Sequence, residues 1–238
     1  EINRMRFDYE PLENFDKIED FIISKSHHIV DQNFATIRIS ATDPESLNGV
    51  DSKKIMTQAS AVNRDLSFRS EALMRDELSW NVMSIPTLKW AKKVFPNEED
   101  PVACLWDAIL KAVRCDSGDP IENWNNHIEA LKKHATFLND HNFESLVFKN
   151  SLGTDLNVGL PEGHIWMAAN SLNKVRKTEF IANIPTEEVF TMPHKDRVNG
   201  IVYASKPLNY QGTLIDGFSI EFKDGKAIKV HASDNQEV

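Results

Sequence analysis

Trp80-Asn81-Val82-Met83-Ser84-Ile85-Pro86-Thr87 reads as a short buried strand ending at a proline, followed by a threonine placed to cap a helix that runs to Val94. Upstream, residues 34–40 alternate Phe34, Thr36, Arg38 and Ser40 against Ala35, Ile37 and Ile39, the period of another strand. Residues 52–76, between the two, contain no Gly or Pro and repeat Ile55, Ala59, Val62, Leu66 and Leu73 at helical spacing. A crossover helix of that length favours parallel pairing of the strands it joins. Leu12, Phe15, Ile18, Phe21, Ile22 and Ile29 predict an earlier helix over residues 12–30. Residues 100–113 and 119–139 predict two more, each opened by Asp then Pro, a capping residue followed by one suited to the first turn.

After Asn142 the pattern changes. Apolar runs at residues 146–148, 156–158 and 165–168 are separated by Gly153, Gly159 and Gly163, which is strand-and-turn spacing. From Gly200 onward Ile201 and Tyr203, then Leu214 and Ile215, then Phe218, Ile220 and Phe222, then Ile228 and Val230 alternate with polar residues. Lys223-Asp224-Gly225-Lys226 between the last two runs is the strongest hairpin signal in the chain. The expected fold is α/β, with an N-terminal three-layer α/β domain over residues 1–172 and a β-rich, antiparallel domain beginning at residues 173–238. The boundary falls where Asn170-Ser171-Leu172-Asn173 leads into the charged run Lys174-Val175-Arg176-Lys177.

The 238 residues carry a net charge of −9, with 41% hydrophobic and 26% charged residues. That balance leaves no diffuse basic surface for phosphate neutralisation, so nucleic acid is a poor partner. Neither a long apolar run nor a glycosylation sequon is present, so no membrane partner is expected. Cys104 and Cys115, eleven apart in one helical region, are expected to be free thiols in a reducing compartment, and cytoplasm is the default location. The first residue is Glu1 rather than Met, so the ends are not expected to be natural ones.

Several common sites are missing: no glycine-rich nucleotide loop, no His-Glu-x-x-His and no Gly-x-Ser-x-Gly elbow. A cysteine nucleophile is weakly supported, because both thiols lie in helix-like apolar surroundings. His127, His134 and His141 recur every seven residues along one helical stripe, too far apart for one metal, and read as a solvated or interdomain stripe. His27 and His28 read as surface residues, and His164 as a structural residue at a turn-to-strand junction or one lining a cleft. The strongest constellation is Asn183-Ile184-Pro185-Thr186-Glu187-Glu188-Val189-Phe190-Thr191-Met192-Pro193-His194. Two carboxylates stand in the middle of a strand-favouring run. Successive side chains of an extended segment face opposite ways, so Glu187 and Glu188 cannot share one pocket. Taken alone they read as edge-strand charges or as one solvated carboxylate beside one held at a site.

Residues 183–191, followed by Pro193-His194-Lys195-Asp196-Arg197-Val198-Asn199-Gly200 and Lys206-Pro207-Leu208, resemble the aminopeptidase T, aminopeptidase S and PepS family of bacterial metallo-aminopeptidases. Pro86-Thr87, Trp90-Ala91, Val94-Phe95-Pro96, Leu105-Trp106, Gly153-Thr154-Asp155-Leu156 and Glu162-Gly163-His164-Ile165-Trp166 are similar to that family in the same order. The resemblance implies removal of N-terminal residues from peptide substrates by a homodimer with two divalent metal ions, which could be zinc, cobalt, manganese or magnesium, and a metal-activated water. By resemblance Glu188 takes the place of the family's first metal-ligand glutamate, with Glu187 as second choice. The family's remaining ligands and its catalytic carboxylate have no counterpart here, and its opening strand and helix would precede Glu1. The α/β domain is therefore expected to be incomplete at its start and the β-rich catalytic domain to be only begun. One glutamate cannot hold two ions, so the chain alone is expected to be inactive. The alternative is a non-catalytic α/β dimerisation or binding module derived from that family.

Overall fold

In a computed structural model, residues 2–41, 43, 45–210 and 213–236 are described. The helices are α1 (Ile2–Tyr9), α2 (Asp20–Asp31), α3 (Ser52–Asp65), α4 (Ser67–Met74), α5 (Leu88–Val94), α6 (Pro101–Ala112) and α7 (Pro120–His141), with a 3-10 turn at Leu12–Phe15. The strands are β1 (Thr36–Ser40), β2 (Trp80–Ser84), β3 (Ser145–Lys149), β4 (Asp155–Gly159), β5 (Met167–Ala168), β6 (Ser171–Leu172), β7 (Glu179–Phe180), β8 (Val189–Phe190), β9 (Val198–Tyr203), β10 (Leu208–Tyr210), β11 (Thr213–Ile215), β12 (Ser219–Lys223) and β13 (Lys226–His231). The fold is α/β. The chain divides into two compact units, Glu1–Ile128 with Ala169–Glu187, and Glu129–Ala168 with Glu188–Val238.

In the first unit β1 and β2 pair in parallel, Thr36 opposite Trp80 through Ser40 opposite Ser84, as the crossover between them predicts. The predicted caps form: Thr87 Oγ1 accepts from Trp90 N at 3.2 Å, and Asp100 Oδ1 accepts from Ala103 N at 3.0 Å with Pro101 in the first turn. The helix expected over residues 12–30 divides into the 3-10 turn and α2. In a continuous helix the Asn14 carbonyl would accept from Ile18 N. Here Asn14 O accepts from Arg6 Nη2 at 3.0 Å, and Ile18 N donates to Asp65 Oδ2 at 3.2 Å. Asp16 O is likewise taken by Arg64 Nη2 at 2.7 Å. Tertiary partners claim the groups that local periodicity would have paired. The helix expected over residues 52–76 also breaks, at Leu66, whose φ of −112° and ψ of 17° are not helical.

The return of the chain through residues 169–187 completes this unit. β6 and β7 form a short hairpin, Ser171 opposite Phe180. Asn173, buried at its base, donates to Ser79 Oγ at 3.0 Å and Asn33 Oδ1 at 3.3 Å. Its own Oδ1 accepts from the backbone N–H groups of Val175 and Arg176 at 2.9 and 2.8 Å. Beyond the hairpin, Asn183 bridges Val82 in parallel: Val82 N donates to Ala182 O at 2.8 Å and Ile184 N to Val82 O at 3.0 Å. The free side of β2 thereby delivers Thr186 and Glu187.

The second unit is built on a five-stranded antiparallel sheet in the order β13-β12-β9-β4-β3. The predicted hairpin joins β12 to β13, with Asp224 at φ 48° and Gly225 at φ 76°, the left-handed pair such a turn requires. A small core of Ala135, Leu160 and Trp166 takes in Leu138, Leu146, Ala168 and Val189. β8 pairs antiparallel with β5, Val189 opposite Ala168 and Phe190 opposite Met167. The sheet draws β3 and β4 from before residue 172 and β9, β12 and β13 from after it, all within the second unit. Among the described residues no helix is long and apolar enough to cross a membrane.

Candidate functional site

The two carboxylates of the 183–194 run have different surroundings. Arg114 donates to both oxygens of Glu187, Nη1 to Oε1 at 2.6 Å and Nη2 to Oε2 at 2.8 Å. This bidentate bond, and after it the charges of Arg114 and His127, hold the Glu187 carboxyl below the usual glutamate range against the opposing effect of burial. His127 Nε2 donates to the Thr186 carbonyl at 2.7 Å and lies 3.7 Å from Glu187 Oε2. Glu188 is exposed, and among the described residues its side chain has no hydrogen bond or ion pair.

Arg114 is placed by the turn between α6 and α7. It follows the α6 cap at Val113 and takes a left-handed φ of 59°. Asn123 Nδ2 donates to Arg114 O at 3.1 Å and to Ser117 O at 2.7 Å, and Trp124 Nε1 donates to Val113 O at 2.8 Å. Two side chains of the first turns of α7 therefore tie the loop that carries the guanidinium.

The histidines behave differently from one another. His127 is not solvated: its side chain is 12% exposed, with Trp124 packed edge-on at 5.8 Å. It is a buried polar contact, because Trp124 and the Thr186 carbonyl cover it. His134 is exposed, and His141 bonds Phe137 O at 2.8 Å and stacks against Phe143, so the heptad spacing makes no common site. His27 stacks on Phe68 and His28 meets Phe34 edge-on, both exposed as expected. His164 Nδ1 donates to Pro161 O at 2.9 Å, and His194 Nδ1 accepts from Asp196 N at 3.2 Å. Cys104 and Cys115 are free thiols, and desolvation followed by the charges of Glu98, Asp107 and Asp100 pushes the Cys104 thiol up, which disfavours a thiolate.

A surface hollow of about 470 Å³ is lined by Asp43, Glu45, Lys89, Lys92 and Lys93. Its carboxylates face lysines, Asp43 at 2.8 Å from Lys89 and Glu45 at 2.7 Å from Lys93, and are poorly suited to a cation. Among the described residues no three His, Cys, Asp or Glu side chains gather closely enough to hold a metal ion. Glu188 fits as one oxygen donor because, among the described residues, nothing competes for its carboxylate. Glu187 does not fit, since leaving Arg114 would break two charge-assisted bonds. A complete metal site does not fit the described residues of this chain.

Sequence reasoning singled out the Glu pair but missed Arg114, and of its two readings of the His127 stripe the solvated one does not hold at His127. Arg114 lies 73 positions from Glu187 and His127 59 from Thr186, so no local spacing announces either contact.

The thermophilic metalloprotease (M29) family matches residues 1–238. The chain is 38% identical over 237 residues to aminopeptidase 2 of Geobacillus stearothermophilus, covering 98% of this chain and 56% of that protein. It is 37% identical over 240 residues to aminopeptidase T of Thermus thermophilus, covering 100% of this chain and 58% of that protein. The solved structure of wild-type AmpT from Thermus thermophilus has a TM-score of 0.88 at 35% identity, over 99% of this chain and 58% of that one. The chain spans less than two thirds of the length of these relatives. A match along the whole chain, in sequence and in fold, makes this protein a member of the thermophilic metalloprotease (M29) family.

Proposed function

We propose that the protein is a metal-dependent aminopeptidase that removes N-terminal residues from peptides at a site of two divalent ions, and that Glu188 is this chain's ligand to them. The observation that carries the reading is the division of labour in the Glu pair: Glu187 is taken by Arg114, and Glu188 is exposed and unpaired. The relatives named aminopeptidase 2 and aminopeptidase T support the reaction class. Divalent ions would supply an activated water and a polarised scissile carbonyl. Oxygen ligation suits zinc, cobalt, manganese or magnesium. A homodimer and a cytoplasmic location belong to the same proposal, on the strength of the family resemblance.

Each ion wants about four ligands. The described residues bring no three donors together, and on this reading the remaining ligands lie beyond them and the isolated chain neither binds the ions tightly nor cleaves peptides. The test is an aminoacyl-chromogenic assay of the isolated chain with added zinc, cobalt or manganese. No turnover is expected; robust turnover would refute the inactivity of the isolated chain and leave the reaction class standing. In the enzyme extended to its relatives' full length, Glu188→Gln should remove metal and activity while the fold persists. Unchanged metal content would transfer the ligand to Glu187.

A further inference from the structure

We infer that one face of the five-stranded sheet in the second unit is an interior face, and that it seats a further layer of the same polypeptide, drawn from outside these 238 residues. Residues directly opposite one another in an antiparallel ladder share a face. Phe148 lies opposite Leu156, and Leu156 opposite Gly200; Val158 lies between Leu146 and Val198. On the other side of β9, Gly200 pairs with Phe222, Val202 with Ile220, and Ile220 with Val230. Each of these positions is apolar, in all five strands. The opposite face includes Lys149, Asp155, Asn157, Asn199, Glu221 and Lys229, the side chains of a solvated surface. Antiparallel sheets with this alternation keep one face in water and pack the other on a core.

Burial of the apolar face stops short of that. β9 is the central strand, with neighbours on both sides, yet Val198 and Val202 are only half-buried, and so are Ile220 and Phe222 on β12. Phe148 is 49% exposed and Val230 52%. Leu156 is buried, and Leu146, at one corner, joins the core of Ala135, Leu160 and Trp166. Side chains stand roughly perpendicular to a sheet, so neighbouring strands do not cover them and only a layer above completes their burial. Two magnitudes select the occupant. Five strands about 4.8 Å apart, with four to five residues at about 3.4 Å each, give a footprint of about 350 Å². A stable association of separate proteins takes about 800 Å² from each partner and must offset lost translational and rotational freedom. A second copy seated here would supply less than half that area, whereas a segment of the same chain loses no such freedom. More than two fifths of the length of the relatives lies outside the part this chain matches, which is ample to build the layer.

The test is carbene footprinting of side chains at two protein concentrations, on the 238-residue chain and on the protein extended to its relatives' full length. Phe148 and Val230 should be labelled in the shorter chain at both concentrations and about tenfold less in the longer one, the change from half exposed to fully buried. Val230→Lys gives a second readout, because Val230 lies on the edge strand β13 and half exposed, where the shorter chain tolerates a lysine. Hydrogen exchange of the β9 and β12 amides should be unchanged by Val230→Lys in the shorter chain and about tenfold or more faster in the longer one, where the layer covers the charge. Equal labelling of Phe148 and Val230 in the two forms overturns the inference, and it does so even where Val230→Lys fails to fold at full length. Protection that appears only at the higher concentration, in either form, identifies a second copy as the occupant and overturns it as well.

Discussion

Replacing Asn173 by alanine asks how firmly the return of the chain toward Glu187 is held. The Asn173 side chain is fully buried and takes part in four hydrogen bonds, donating to Ser79 Oγ and Asn33 Oδ1 and accepting from Val175 N and Arg176 N. At about 1 kcal/mol net per bond the ceiling is about 4 kcal/mol. Val175 and Arg176 are exposed, so water can replace the acceptor that their N–H groups lose, and the bond to Asn33 is long at 3.3 Å. Set against these reductions is the void left by the amide, and the expected loss is about 2–3 kcal/mol. Because the chain forms two compact units, one global midpoint is not a sound measure, and native-state hydrogen exchange across β6 and β7 is the assay. That loss corresponds to exchange about 30- to 150-fold faster in Asn173→Ala than in the wild type, with β9 and β12 little changed. Asn173→Asp keeps the acceptors but cannot donate, and should cost more than alanine because it buries a charge among oxygens. Acceleration below about threefold in Asn173→Ala, with Asn173→Asp no worse, would refute the view that this amide fastens the segment.

Phe15 is completely buried, stacked on Phe7 at 5.1 Å, with the Arg6 guanidinium 4.8 Å from its ring centre. Phe15→Ala should cost the first unit about 3–5 kcal/mol, read as faster exchange of α1 and α3 amides. Asp65 has its carboxyl held below the ordinary range chiefly by the Arg64 hydrogen bond, with the Ile18 N–H assisting and desolvation opposing. A lowered folded-state value means that its contribution is present at neutral pH and is lost as pH falls through that value, so Asp65→Asn should have a deficit at pH 7 that shrinks toward zero below about pH 4. Hydrogen exchange of the α3 amides at stepped pH, corrected for the intrinsic exchange rate at each pH, checks this, and a deficit that grows on acidification would reverse the assignment.

The parts of the fold that local chemistry dictates were legible in the sequence. Asp224-Gly225 announces its hairpin because both residues must adopt positive φ, a demand met within two positions. The parallel pairing of β1 and β2 follows from strand period plus a crossover too long for a hairpin. The break near Asp16 was not legible, because Arg6, Arg64 and Asp65 reach it from other elements and take its backbone groups one at a time. A periodicity argument sees the apolar face of residues 12–30 but not the competitors for its carbonyls.

The Glu pair lies between these extremes, and its anomaly has a structural cause. Residues 186–191 look like one strand with misplaced charges, yet only Val189 and Phe190 pair as β8. Asn183 has already bridged Val82 in the first unit, and β8 pairs with β5 in the second, so Glu187 and Glu188 occupy the interval where one partnership has ended and the other has not begun. Among the described residues no strand pairs with them there, which lets two carboxylates stand in a run whose other residues favour β structure. Sequence could mark that interval as unusual but could not divide its labour. Adjacent glutamates of identical chemistry are distinguished only by an arginine 73 residues away, which binds the first and leaves the second free.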